Sequence, residues 1–391
     1  MTRRKRILIF ADYYLPSVGA GGGVRILANI VERFSDRYEF FVVARDHDSK
    51  THREPFTHIP LNEWTRHGEA QTYYFSRNRL TSSVTDSILE HAKPDLVFLN
   101  SLFSIASVRF LWERRKGKYA GLPVIVSPCG EVLVEGLKRK SLKKRSYLFF
   151  ANSAGLHRNI VWRATSEHER DEILKVIGRD LNIFVVPDLP ALDTDWPDAG
   201  KKPEKRPNVL SAAFVARIVP NKNLLYLLEA LNSNFTGELN LNIIGPHEDQ
   251  EYWAKCLTAI KKLPSNVKVT ATGLLQHHEV TEHLHNTHFF ISPTKTENFG
   301  YAILEAFGQG CPTIISDRTH WNDLAGCEFA WILDLDDIEG WRAAIRECLS
   351  MGNDDFRRIS KAAQQFARQW VAGSDVESQL EEMFEYALSQ R

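Results

Sequence analysis

Short apolar runs separated by amphipathic stretches recur along the whole chain, and few folds accommodate that alternation. In the N-terminal half the runs are residues 7–10, 40–44, 96–99, 124–126 and 183–186. Apolar side chains at consecutive positions bury both faces of a strand, which is the condition inside a parallel sheet covered by helices. Between the first two runs Ile26, Leu27, Ile30, Val31 and Phe34 share one face of a helix that follows Gly21, Gly22 and Gly23. Residues 188–207 interrupt the rhythm with four prolines and the charged cluster 201–206, the composition of a linker. The alternation then resumes at residues 209–215, 224–231, 239–244, 267–270, 289–291 and 313–315. Two such series predict an α/β protein of two doubly wound, Rossmann-like domains. The expected division is residues 1–190, a linker at 191–207, a second domain at 208–372, and a C-terminal helix in 373–391 that packs back on the first domain.

A length of 391 residues agrees with two cores rather than one. With 49 basic and 49 acidic residues the chain has no net charge, which argues against a nucleic-acid partner. The five cysteines are far apart and odd in number, a pattern suited to a reducing cytosol. Residues 7–10 are too short for a secretory signal, and no window approaches the ~18 apolar residues of a membrane span. Any membrane contact is expected to be peripheral.

Doubly wound sheets bind ligands at the carboxyl ends of their strands, so the chemistry belongs in the loops there. The richest segment runs from Ser292 to Thr313. A strand ends near Pro293, a polar loop carries Glu297, and Gly300 permits a tight entry into a helix that stops near Gly310 and Pro312. Amides at Asn298, Phe299, Gly300 and Tyr301 would favour a phosphate at that helix N-terminus. Glu297 and Glu305 then make sense as acceptors of hydrogen bonds from sugar hydroxyls. Arg217 and Lys222 follow another strand end, a planar fork and a point charge suited to a diphosphate leaving group.

These residues resemble glycosyltransferase family 4, retaining enzymes of the GT-B fold, in which two Rossmann-like domains face each other across a cleft. The likeness rests on Glu297 and Glu305 within Glu-Asn-Phe-Gly and Leu-Glu-Ala, on Arg217 with Lys222, on the Gly-Cys-Pro-Thr stop, and on residues 316–324. It is dense in the second domain and sparse in the first, where Pro16, Gly21, Gly22 and Arg25 carry it. The resemblance implies that a nucleoside diphosphate sugar is the donor. Glu305 would hold the ribose and Glu297 the transferred sugar, with Arg217 and Lys222 on the diphosphate and the amides of Asn298, Phe299 and Gly300 lining both. Gly21 and Gly22 would let backbone approach the donor, and Leu274 and Leu275 lie where the family packs the nucleobase. The acceptor would be a saccharide or lipid-linked saccharide, with cell-envelope polysaccharide, lipopolysaccharide or exopolysaccharide synthesis as the setting. No metal and no cofactor is expected.

The chain departs from the family at Asn100, where many members carry a histidine, and at Cys129, where a histidine often precedes the glycine. Asn100 cannot serve as a base but can hydrogen-bond a sugar hydroxyl. A catalytically silent nucleotide-sugar-binding protein is therefore one alternative, and another GT-B enzyme such as a phosphorylase is a second. Other motifs read as structural. The glycine run at 19–23 follows too long a loop for a dinucleotide fingerprint. Asp193 and Asp195 have metal-binding spacing but stand in the linker. His277, His278, His283, His285 and His288 lack an acidic or cysteine partner to complete a metal site. Residues 137–150 concentrate six basic residues before an aromatic tail. They are either a solvated face or a contact with an anionic membrane surface, which would keep a cytoplasmic enzyme at the inner face of the membrane.

Overall fold

The computed structural model describes residues 3–49, 52–76, 79–133, 137, 141–190 and 196–390. The chain divides into one compact unit of Met1–Leu192 with Asp375–Arg391 and a second of Asp193–Ser374.

The first unit is built on strands β1 (Lys5–Ala11), β2 (Tyr38–Arg45), β3 (Trp64–His67), β4 (Ala70–Phe75), β5 (Leu96–Asn100), β6 (Val124–Val126), β7 (Val161–Ala164) and β8 (Asn182–Val185). They lie in the order β3-β4-β2-β1-β5-β6-β7-β8. All pairs are parallel except β3 with β4. Ile7, Leu8 and Ile9 of β1 are fully buried, as a strand covered on both faces requires. The direction of strand addition reverses between β1 and β5, so the loops after those two strands flank the switch point. The C-terminal helix Val376–Ser389 belongs to this unit. It buries Leu380, Met383 and Phe384, and the Phe384 ring meets Phe34, Tyr38 and Phe98 edge-on. Glu377 and Glu381 then pair with Arg33 and Arg37 along its rim.

The second unit contains β9 (Val209–Val215), β10 (Glu238–Ile244), β11 (Val267–Gly273), β12 (Phe289–Ser292), β13 (Thr313–Ser316) and β14 (Ala330–Leu333). The order is β11-β10-β9-β12-β13-β14, parallel throughout. Its switch point lies between β9 and β12, which pair through Phe289 with Ala212 and Phe290 with Ala213.

Two readings of the sequence need correction. The β3–β4 hairpin, β7 and β14 were not expected; in β3, β4 and β7 the apolar positions are interrupted by polar ones, and β14 is a short edge strand. In β7 the interruption is Arg163, buried in the strand and paired with Asp188 at 3.0 Å. The cluster at 201–206 is also no solvated linker. Lys202 is buried and donates to the carbonyls of Leu284, His285 and Gln309 at 2.9–3.0 Å. Lys205 likewise donates to the carbonyls of Arg206, Leu349 and Met351. An ammonium has three protons to give, and carbonyls at helix ends lack partners within their own helix. Asp193 and Asp195 lie outside the described residues.

Candidate functional site

In the second unit the loops after β9 and β12 are joined by hydrogen bonds. Lys295 N donates to the Asn221 carbonyl at 2.8 Å, and Asn221 Nδ2 donates to the Thr296 carbonyl at 3.0 Å. Thr294 Oγ1 donates to the same two carbonyls. The single 3-10 turn Pro220–Lys222 and the polar loop 293–299 therefore behave as one piece. Its consequence is a direct contact between Lys222 Nζ and Glu297 Oε2, both side chains largely shielded from solvent.

Gly300 caps the helix Tyr301–Gly308 with φ at 83°, in the left-handed region. A Cβ there would press on Ile303, Trp321 and Glu297 at 3.0–3.2 Å, so the entry predicted from sequence needs glycine on both counts. Among the described residues the amides of Asn298, Phe299 and Gly300 make no hydrogen bond, and the buried Oδ1 atoms of Asn298 and Asn221 have no partner. Unpaired polar atoms concentrated at one strand end mark a place where a polar ligand or water belongs. Phe299 itself is buried against Trp321, His320 and Trp370, so it contributes its amide, while its ring anchors the loop.

Arg217 leaves the end of β9 and donates from Nη1 to Glu248 Oε2 at 2.5 Å. Gly245, just past β10, makes this approach possible. Its Cβ would stand 2.0 Å from the Ala216 carbonyl oxygen, and its φ is 138°. Glu305 lies in the second turn of its helix with His277 Nδ1 3.5 Å from Oε1. His277 opens the helix His277–His285, directly after β11 and the loop carrying Leu274 and Leu275. Leu274 is exposed, an unusual position for a large apolar side chain beside a polar site. His283 instead meets Asn242 at 3.0 Å, and His288 accepts from the Ser211 amide.

Sequence reasoning missed Glu248 and His277 as partners of Arg217 and Glu305. The position of Glu248 after a strand end was the available signal. Nearby, His247 stacks on Trp253 at 4.0 Å, and burial pushes its imidazole below the usual range.

The first unit gathers its predicted residues in the same way. Asn100 ends β5 opposite Ala11 at the end of β1. Cys129 Sγ is 3.2 Å from Asn100 Oδ1. Glu131, which the sequence did not single out, holds the loop after β5 by accepting from the Leu102 and Phe103 amides and from Ser101 Oγ at 2.8–3.2 Å. Burial pushes its carboxyl above the usual range, with Lys144 pulling the other way. Gly21 stands at the N-terminus of the helix Gly22–Phe34 with φ at 81° and ψ at −158°, a conformation open to glycine alone. The preceding turn is fixed by Asp48, whose carboxylate accepts from the Val18 and Gly19 amides at 2.6–3.1 Å. That carboxylate therefore occupies amides of the glycine loop.

Both sheets thus place polar loops at a topological switch point, the arrangement of a nucleotide-binding α/β protein. Two family models match the chain, "Glycosyl transferases group 1" over residues 194–366 and "Glycosyl transferase 4-like domain" over residues 21–188. The chain belongs to the family 4 type of glycosyltransferases, with the GT-B fold. Its activity class is sugar transfer. No curated protein matches it in sequence. Among solved structures, sucrose-phosphate synthase from Thermosynechococcus elongatus is similar at 16% identity and a TM-score of 0.75, covering 99% of this chain and 100% of that one. Anabaena HepE in complex with UDP and glucose is similar at 17% identity and a TM-score of 0.69, covering 99% and 100%. WaaG, a glycosyltransferase involved in lipopolysaccharide biosynthesis, is similar at 13% identity and a TM-score of 0.64, covering 96% and 98%.

Proposed function

We propose that this glycosyltransferase takes a sugar from a nucleoside diphosphate donor with retention at the anomeric carbon, using no metal and no cofactor. The observation that carries the reading is the contact of Lys222 with Glu297, beside unpaired amides at the switch point of the second sheet. A diphosphate there would accept from Lys222, Arg217 and the amides of Asn298, Phe299 and Gly300. These donors are fixed before the reaction, so the charge that grows on the leaving oxygen meets an oriented field and not water that must reorganise. Glu297 accepts hydroxyls of the transferred sugar and Glu305 those of the ribose. Leu274 and Leu275 give the nucleobase an apolar surface. Within the first unit, Gly21 and Gly22 would admit close approach of a ligand to the backbone, and Asn100 at the end of β5 would hydrogen-bond a sugar hydroxyl. Retention follows if the departing phosphate oxygen takes the acceptor's proton on the face it leaves.

The acceptor in this reading is a saccharide or lipid-linked saccharide of the cell envelope, and the enzyme works in the cytoplasm at the inner membrane face. Anabaena HepE with UDP and glucose supports the donor class, and WaaG supports the setting. A panel of uridine, adenosine, guanosine and thymidine diphosphate sugars, each supplied with saccharide acceptors, tests the activity. Release of one nucleoside diphosphate matched by sugar incorporation is expected. Binding of a nucleotide sugar with no release under any acceptor would instead favour the silent binding protein.

The membrane contact is proposed from the helix Ser141–Ala154. Leu142, Phe149 and Phe150 are exposed on it, alongside the exposed Lys143 and Arg145. Lys144 is turned inward over the Phe103 ring at 4.4 Å, so it is excluded from the face the sequence had assigned it to. Lys138 and Arg139 lie outside the described residues. Among the described residues no helix is long and apolar enough to cross a membrane. Replacing Lys143 and Arg145 with Glu is expected to weaken co-sedimentation with phosphatidylserine vesicles about tenfold or more, at ~1 kcal/mol per basic residue removed. Unchanged co-sedimentation rejects the contact.

A further inference from the structure

The Glu248 side chain is almost fully buried, and its carboxylate accepts from Arg217 Nη1 at 2.5 Å. A guanidinium carries five N–H donors in a rigid plane. Fixing one nitrogen therefore restricts the direction of the other two, and Arg217 keeps about a third of its side chain exposed. The segment that presents Glu248 is itself tightly held. Ile218 N donates to the Pro246 carbonyl at 2.9 Å, Asp249 N donates back to the Ile218 carbonyl at 3.3 Å, and Gly245 N donates to the Gly273 carbonyl at 2.7 Å. The Asp249 carboxylate then caps the helix Gln250–Ile260 through the Tyr252 amide. Glu248 is thus anchored between a strand end and a capped helix, while Arg217 has only its side chain to give.

We infer that Glu248 is a positioning residue, which aims the Arg217 guanidinium at the donor's diphosphate and acts on that group only through Arg217. The inference rests on the donor-site reading above. Two opposed effects follow from a buried carboxylate behind an arginine. By charge alone, removing Glu248 would strengthen the pull on a diphosphate. By orientation, removing it leaves a long side chain whose rotamers must be ordered on every binding event. The geometry assigns the larger share to orientation, because the Glu248 carboxylate is buried on a tightly held segment while about a third of the Arg217 side chain stays exposed. The sign of the effect therefore separates a positioning carboxylate from a merely repelling one.

The test is titration of inorganic pyrophosphate and of UDP into wild type, Glu248→Ala, Glu248→Gln, Arg217→Ala and the Glu248→Ala/Arg217→Ala pair, with melting temperatures alongside. Glu248→Ala is expected to weaken pyrophosphate about tenfold, within the range seen for contacting residues. Glu248→Gln, which keeps an acceptor for Nη1, is expected to restore most of that loss, and Glu248→Ala is expected to add nothing once Arg217 is gone. Tighter pyrophosphate binding by Glu248→Ala would overturn the inference. So would an equal loss in the Arg217→Ala background, which would mark a general structural role. If Arg217→Ala itself left pyrophosphate and UDP binding unchanged, the donor-site reading would fail first and the inference with it.

Discussion

Replacing Glu297 with alanine is expected to lower turnover about a hundredfold or more while leaving the affinity for free nucleoside diphosphate within a few-fold. The magnitude is that of removing one oriented group from a charge-developing site. The split between turnover and affinity comes from where Glu297 stands. It contacts Lys222 within the loop that Asn221 ties at Thr296, so in the proposed reading it serves both the transferred sugar and the cation beside it. Nucleoside diphosphate lacks the transferred sugar and should notice only the second role. Steady-state release of nucleoside diphosphate, with binding measured separately, checks this. Equal losses in kcat and in diphosphate affinity would mean that Glu297 holds the diphosphate end.

Gly245→Ala should be the most damaging single methyl in the second unit. The added carbon would lie 2.0 Å from the Ala216 carbonyl oxygen, and backbone there cannot swing aside as a side chain could. The residue also has φ at 138°, where an L side chain is strained. A loss of about 3 kcal/mol is expected, in the class of strain at a special backbone site. For a unit of this size that corresponds to a fall in melting temperature of about 6–12 °C. Because Ala216 directly precedes Arg217, diphosphate binding should weaken as well. A variant with unchanged melting temperature would show that β9 and β10 can separate at their ends at little cost.

The first sheet was legible chiefly where its strands are apolar without interruption, as in residues 7–10 and 124–126. The same rule hid β7, since Arg163 sits in its middle and only the tertiary contact with Asp188 makes that burial tolerable. It hid the β3–β4 hairpin too, whose edge position lets polar residues alternate with apolar ones. Lys202 and Lys205 were misread for a related reason. Composition marks lysine as solvated, whereas here helix-end carbonyls surround both amines. At the site, Glu297, Glu305, Arg217 and Lys222 stand in a recognisable order along the chain. Glu248, His277 and Asp48 do not, because each acts on a loop from another strand and only the sheet order brings the partners together.

In the proposed reading Arg217 and Lys222, just past the end of β9, receive the donor's diphosphate. Titration of nucleoside diphosphate and of the matching nucleoside into wild type and the Arg217→Ala/Lys222→Ala variant tests it most directly. Wild type is expected to bind the diphosphate far more tightly than the nucleoside. The double variant should lose about a hundredfold or more in diphosphate affinity, as charge-assisted hydrogen bonds of ~1.5–3 kcal/mol each require, with nucleoside binding unchanged. A double variant that still preferred the diphosphate as strongly as wild type would contradict the claim.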